Sequence, residues 1–304
     1  MAMQAAGTKV QTTAAVREPA VIGSVTSKDG TRIGYRQIGH GPGVVMLHGA
    51  METSQSHMQL AEALADAFTI YLPDRRGHSL RGPFDKSYSI QKEVEDLDAL
   101  LTKTGAHNIF GVSAGGIICL QAALTLPMIH KVAVYEPALV INDSTPRAYL
   151  ARFDEEMAQG KVAAALVTGM KGGRMGPPIF NVMPRWLLES LTNMMMKSED
   201  KKAKDDDVTF RMLAPTLHYD FQLVVEMSDR LDSFKAIRAE VLLLGGSKSP
   251  AWLKVALDAL EKVLPRVKRI EFPGLDHGGS SDPSNTNRGG DPQRVAQELR
   301  RFFV

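Results

Sequence analysis

The segment Gly111-Val112-Ser113-Ala114-Gly115 sets one hydroxyl between two glycines, after an apolar run and before another. A serine hydroxyl attacks a carbonyl carbon only when a base within hydrogen-bond reach takes its proton. The pattern G-x-S-x-G between a strand and a helix suits that chemistry. The turn is so sharp that the side chain is pushed out of the backbone, and the small neighbours leave room for nearby main chain. The same five residues could also close a tight loop with no chemistry in it, so a partner must decide. His277, in "EFPGLDHGG", follows the last strand-like run and precedes the last helical pattern. A base is expected there, late in chain order and on a loop. The remaining histidines read differently. His107 and His130 look like surface helix-end residues, His40 precedes a strand, His57 and His218 lie in helical patterns, and His48 belongs to a loop after a strand.

These residues need a frame. The stretches "AVIGSVTS", "TRIGYRQIG", "GVVMLHGA", "TIYLPD", "NIFGV", "KVAVYEP", "EVLLLGG" and "VKRIEFPG" read as strands. From the third onward they alternate with helical patterns such as "SIQKEVEDLDALLTKTG" and "PQRVAQELRRFFV", which predicts an α/β fold with a mostly parallel sheet and helices on both faces. From residue 138 to 233 the pattern is helical, and "KSEDKKAKDDD" within it reads as a solvated loop. The expected organisation is a flexible tail over 1–19, a core over 20–137 and 234–304, and a helical cap over 138–233.

Composition narrows the function. The chain has 304 residues, 44% hydrophobic and 23% charged, with a formal net charge of +2. Without a basic stripe this argues against nucleic-acid binding. Cys119 is the single cysteine, which excludes an intrachain disulfide and fits a reducing, cytoplasmic setting. The N-terminal stretch lacks the apolar core of a secretory signal, and its lack of acidic residues before Glu18 leaves an organelle-targeting reading open. The uncharged stretch 109–129 is long, but Gly111, Gly115, Gly116 and Gln121 favour a buried strand and helix over a membrane span. No metal or cofactor is expected.

The motifs "LHGA", "DRRGHS", "GVSAGG" and "GLDH", in this order, resemble those of the α/β-hydrolases, and the resemblance covers Ala20 to Val304. It implies a Ser-acid-His triad on an eight-stranded sheet under a lid. Most members carry the acid as an aspartate after the seventh strand. Here "VLLLGGSKSPAWL" offers Ser247, Lys248 and Ser249 there, with no carboxylate. A triad needs the anion, because it fixes the imidazole tautomer and stabilises the imidazolium. Glu136, in "VAVYEPAL" at the end of the sixth strand, is the expected acid, a placement similar to that in zearalenone-type lactonases and certain dehalogenases. Asp143 and Asp276 are the alternatives, and Glu136 could instead satisfy strand-end backbone. The expected oxyanion donors are the Ala114 N–H and, from the resemblance, the Ala50 N–H, with Met51 its neighbouring option. His48 and Gly49 are read as loop architecture. "DRRGHS" is read as structural, with Arg75, Arg76 and His78 as outside candidates for substrate contact.

The helical block holds Met157, Met170, Met183, Met194, Met195, Met196, Met212 and Met227, besides Phe180, Trp186, Leu187 and Leu188. Methionine suits irregular apolar surfaces. An apolar pocket for a medium-sized neutral ester or lactone follows, with Met51 and Trp186 as expected substrate contacts and a macrolactone such as zearalenone as one specific version. Other readings are a cofactor-free carbon–carbon bond hydrolase, lyase or perhydrolase on the same scaffold, or a hydrolase-derived ligand receptor.

Overall fold

The computed structural model describes residues 20–78, 87–141, 145–173, 175, 179–204, 207–284 and 287–304. The N-terminal tail 1–19 and Asp143 lie outside the described residues. The chain opens with a hairpin of β1 (Val21–Thr26) and β2 (Arg32–Ile38), followed by β3 (Gly43–Leu47), α1 (Met58–Glu62), β4 (Thr69–Pro73), α2 (Ile90–Thr104), β5 (Asn108–Val112), α3 (Ala114–Thr125) and β6 (Lys131–Tyr135). An insertion of α4 (Thr145–Ala158), α5 (Val162–Gly172), α6 (Ile179–Val182), α7 (Arg185–Lys202), α8 (Phe210–Leu213) and α9 (Leu217–Met227) comes next. The chain then closes with β7 (Glu240–Gly246), α10 (Ala251–Val263), β8 (Val267–Phe272) and α11 (Pro292–Phe303).

The strands form one eight-stranded sheet in the order β1-β2-β4-β3-β5-β6-β7-β8. β2 runs antiparallel to its neighbours β1 and β4, and every pairing from β4 to β8 is parallel. The central strands are buried on both faces, which is why they read as unbroken apolar runs rather than alternating ones. One face packs on α2, α3 and α10 through Leu97, Leu101, Ile117, Leu120, Leu257 and Leu260. The other packs on α1 and α11 through Leu60, Leu64, Val295, Leu299 and Phe303. Those four-residue spacings on α11 put its apolar stripe inward. Asp291 caps the same helix by accepting the Arg294 N–H, and Pro292 opens it.

β3 has β4 on one side and β5 on the other. The chain therefore reverses its direction across the sheet at β3, the kind of position where open α/β sheets bind ligands beyond the carboxyl ends of their strands. Gly49 to Met51 follow β3, Ser113 follows β5 and Glu136 follows β6, so one rim receives all of them.

Two sequence expectations meet the structure here. The stretch 109–129 divides into β5 and α3. The charged run beginning at Lys197 is not wholly a loop: α7 continues through Lys202. Its Lys and Glu residues are good helix formers, and a charge run alone does not end a helix.

Candidate active site

Ser113 sits in the turn between β5 and α3 with φ 52° and ψ −115°, a conformation that L-residues rarely adopt. Such backbone persists only where the surroundings over-determine it. Here the flanking glycines permit it. A Cβ on Gly111 would collide with the carbonyl of Gly115, and a Cβ on Gly115 would lie 2.5 Å from the Leu47 carbonyl oxygen and 2.6 Å from that of His48. The serine N–H donates to the Tyr135 carbonyl at 3.1 Å, so the end of β5 is tied to the residue before Glu136.

Glu136 also has positive φ, 47°, and is 0% exposed. Its Oε1 accepts the Gly246 N–H at 2.7 Å, and its Oε2 lies 2.8 Å from His277 Nδ1. The missing side chain at Gly245 makes room, since a Cβ there would sit 3.0 Å from Glu136 Oε1. The end of β7, where the sequence offers no acid, thus lends a backbone donor to an acid reaching over from β6. An ionised carboxylate only accepts, so the proton on this contact belongs to His277 Nδ1 and the Nε2 lone pair is left available. The loop behind the imidazole is pinned by Tyr135, whose hydroxyl donates to the Asp276 carbonyl at 2.7 Å. Burial, and after it the charges of Glu136 and Asp276, push that phenol well above its ordinary range, so it remains a donor. Among the described residues no hydrogen bond joins Ser113 Oγ to His277. Such contacts often tighten only around substrate.

The loop after β3 is shaped by His48. Its Nε2 accepts the Arg75 N–H at 3.1 Å, which places its proton on Nδ1, 2.8 Å from the Gly49 carbonyl. Burial, and after it His78 and Arg75, hold this imidazole well below its usual pKa, so it is neutral. In a planar trans peptide the N–H points opposite the carbonyl. Anchoring the Gly49 carbonyl on His48 therefore turns the Ala50 N–H the other way. Among the described residues, neither the Ala50 nor the Ala114 N–H donates to a protein acceptor. The Ala114 N–H belongs to the first turn of α3, which has no intrahelical partner for it. Gly49 lies against the serine: a Cβ on it would be 3.2 Å from Ser113 Cβ.

The other expected residues are placed as follows. Met51, at φ 58°, packs against the insertion cluster of Leu166, Met196 and Ala214. Trp186 does not join it. The residue is 69% exposed, and α7 turns Leu188 and Met196 inward instead. Asp276 is exposed and accepts the Gly278 N–H, away from the imidazole. Arg75 is buried between Glu93 and Asp220, and Arg76 between Asp96 and Asp29. His78 stacks edge-on against His48. All three of these side chains are engaged within the protein. The sequence reading did not single out Glu52, and read His57 only as part of a helical pattern; they pair with each other, and each also reaches a residue far along the chain, Ser281 and Ser280. Among the described residues, no group of three or more His, Cys, Asp and Glu side chains is placed to hold a metal ion. No helix among them is long and apolar enough to cross a membrane.

Residues 44–297 match the family described as the alpha/beta hydrolase family. The chain belongs to that family. An α/β hydrolase from Sphaerobacter thermophilus DSM 20745 superposes with a TM-score of 0.74 at 28% identity, covering 93% of this chain and 100% of that one. A thermophilic esterase from Thermogutta terrifontis superposes with a TM-score of 0.68 at 16% identity, over 94% of this chain and 98% of that one, and shares the fold. In sequence, this α/β hydrolase is 29% identical over 128 residues to a pimeloyl-[acyl-carrier protein] methyl ester esterase of Xanthomonas campestris pv. campestris (strain B100), 40% of this chain and 49% of that protein. Over 116 residues it is 29% identical to the uncharacterized hydrolase YraK of Bacillus subtilis (strain 168), 36% of this chain and 43% of that protein. The chain thus spans less than half the length of these curated relatives.

Proposed function

We propose that this α/β hydrolase is a serine esterase or lactonase in which Ser113 is the nucleophile, His277 the general base and Glu136 the acid of the triad. The observation that carries the reading is the 2.8 Å contact between His277 Nδ1 and the fully buried Glu136. It leaves Nε2 able to take a proton, the role a serine held in a strained elbow requires of its base. Esterase names among the relatives and fold neighbours favour the same bond type.

Ser113 Oγ attacks the substrate carbonyl and its proton passes to His277 Nε2. The tetrahedral alkoxide lies against the Ala50 and Ala114 N–H groups. Collapse breaks the bond to the leaving alcohol, which takes the proton from the imidazolium. Water then attacks the acyl-serine as His277 removes its proton, and the acid leaves with Ser113 restored. Met51 and the insertion cluster of Leu166, Met157 and Phe210 form the apolar side on which a neutral acyl or lactone ring would rest. A macrolactone of the zearalenone type is the specific substrate favoured by the acid after β6 and this methionine-bearing wall.

The test is reaction with a fluorophosphonate followed by mass mapping, then a panel of nitrophenyl esters, methyl esters, lactones and β-diketones. Labelling at Ser113 that disappears in His277→Ala, with sustained turnover of esters or lactones, is expected. Labelling elsewhere rejects the triad. Turnover confined to β-diketones rejects ester cleavage.

A further inference from the structure

Beside the triad lies a second carboxylate–imidazole pair. Glu52 Oε2 accepts the Gly49 N–H at 2.8 Å and faces His57 Nε2 at 3.1 Å, and Glu52 Oε1 accepts the Ser281 hydroxyl at 2.6 Å. His57 is buried, and its Nδ1 faces the Ser280 carbonyl at 3.3 Å. The same two segments are joined again where the Asp282 N–H donates to the Ser56 carbonyl and the Asp282 carboxylate accepts the Gln59 N–H. Residues 49–59 follow β3 and carry the proposed oxyanion donor. Residues 280–282 lie just beyond His277.

We infer that Glu52 and His57 are positioning residues for the hydrolytic reaction: their ion pair, bridged through Ser281, holds the Ala50 loop and the His277 loop in register and screens Glu52 from the developing alkoxide. The inference rests on the triad reading above. The need for screening is geometric. A Cβ on Gly49 would touch Glu52 Oε2 at 3.0 Å and Ser113 Cβ at 3.2 Å, so the carboxylate and the nucleophile line one side of the same residue. A bare anion there would oppose the charge that forms on the substrate oxygen. Both ring nitrogens of His57 face acceptors, an arrangement satisfied in full only by imidazolium, which donates from both. The charged groups acting on His57 are Glu52 and Asp282, both carboxylates, and Glu62 acts in turn on Asp282. Burial opposes the charge on His57, but Glu52 outweighs it and holds the pKa above its usual value. Burial likewise opposes ionisation of Glu52, and His57 outweighs it, bringing Glu52 down to about 2. The contact thus favours the charged form of each partner. The pair loses its positive member as pH rises through the raised value of His57.

The experiment compares wild type with His57→Gln, which keeps a donor toward Glu52 and removes the charge, and with Ser281→Ala, which removes the bridge and leaves the charges. Rates of fluorophosphonate labelling, kcat and KM on one ester, and pH–rate profiles are read for each, with Tm as a check on folding. For His57→Gln the expected result is a fall of about tenfold in labelling rate and in kcat with KM unchanged, the size a slight misplacement of reacting groups produces. The alkaline fall in wild-type rate is expected to vanish with it. Ser281→Ala is expected to slow labelling while retaining the alkaline limb, which keeps the proposal testable if His57→Gln does not fold. Wild-type rates and an unaltered profile in both variants overturn it. Failure of the wild type to label at Ser113 overturns the triad reading instead, so the two failures are distinct.

Discussion

Glu136 combines complete burial, a positive φ and a carboxylate with both oxygens engaged, one by the Gly246 N–H and one by His277. A residue that merely satisfied strand-end backbone would need only the first of those bonds. The second orients an imidazole, and it survives only while the side chain accepts on both oxygens. Glu136→Gln replaces one acceptor with an NH2 donor, so the amide must face either the Gly246 N–H or the Nδ1–H. With the wrong tautomer favoured, kcat is expected to fall by ~10³–10⁴, the scale of triad-acid loss. Steady-state kinetics on a nitrophenyl ester checks this, alongside circular dichroism to show that the fold persists. Near-native turnover would remove Glu136 from the triad. Glu136 was legible in the sequence because the segment after β7 contains no carboxylate. Glu52 was not: Gly49 and His57 lie close to it in sequence but form no recognised motif with it, and Ser281 meets it only after the segment after β3 and the His277 loop have folded together.

The loop after β4 shows how the insertion is fastened. Arg75 Nη1 pairs with Asp220 of α9 at 2.8 Å, and its Nη2 pairs with Glu93 of α2 at 3.0 Å, while the Tyr88 hydroxyl donates to the same Glu93 oxygen. All four side chains are buried. Removing one member of such a buried group leaves an uncompensated charge, and Asp220→Asn is expected to cost about 3–5 kcal/mol of stability. Burial raises the Asp220 pKa, but Arg75 and His78 together outweigh it and hold the group at about 2. Since that lies below the unfolded value of about 3.9, the carboxylate contributes its full stability above the unfolded value and loses it as pH falls toward the folded one. Urea denaturation across pH is the measurement. The gap between wild type and Asp220→Asn should narrow as pH drops from about 5 to about 2. A gap that does not change with pH would show that the ion pair does not fasten α9.

The insertion shares its packing with the sheet. Leu223 and Met227 of α9 belong to the same buried cluster as Ile117, Leu120 and Leu243. Trp252 of α10 donates its indole N–H to the Gly173 carbonyl, at the end of α5. An insertion joined in this way should not unfold alone. Thermal or urea unfolding followed by far-UV circular dichroism is expected to coincide with that followed by fluorescence, whose two tryptophans are Trp186 on α7 and Trp252 on α10. Separate midpoints would mean that the insertion is an independent folding unit.

The eight strands, the helices that follow them and the serine elbow were readable in the chain, because each rests on neighbours within a few positions: apolar runs, four-residue spacing, and glycines where a Cβ would strike backbone. The pairing of Glu136 with His277 was readable too, because the place after β7 holds no acid. Other features had to await packing. Trp186 faces outward because the side of α7 that is buried is chosen by α5 and α8, which its own sequence does not specify. Lys197 to Lys202 remain helical because solvated charges do not end a helix. The contacts of Glu52 with Ser281 and of His57 with Ser280 span more than half the chain, and short-range chemistry says nothing about partners that only the folded sheet brings together.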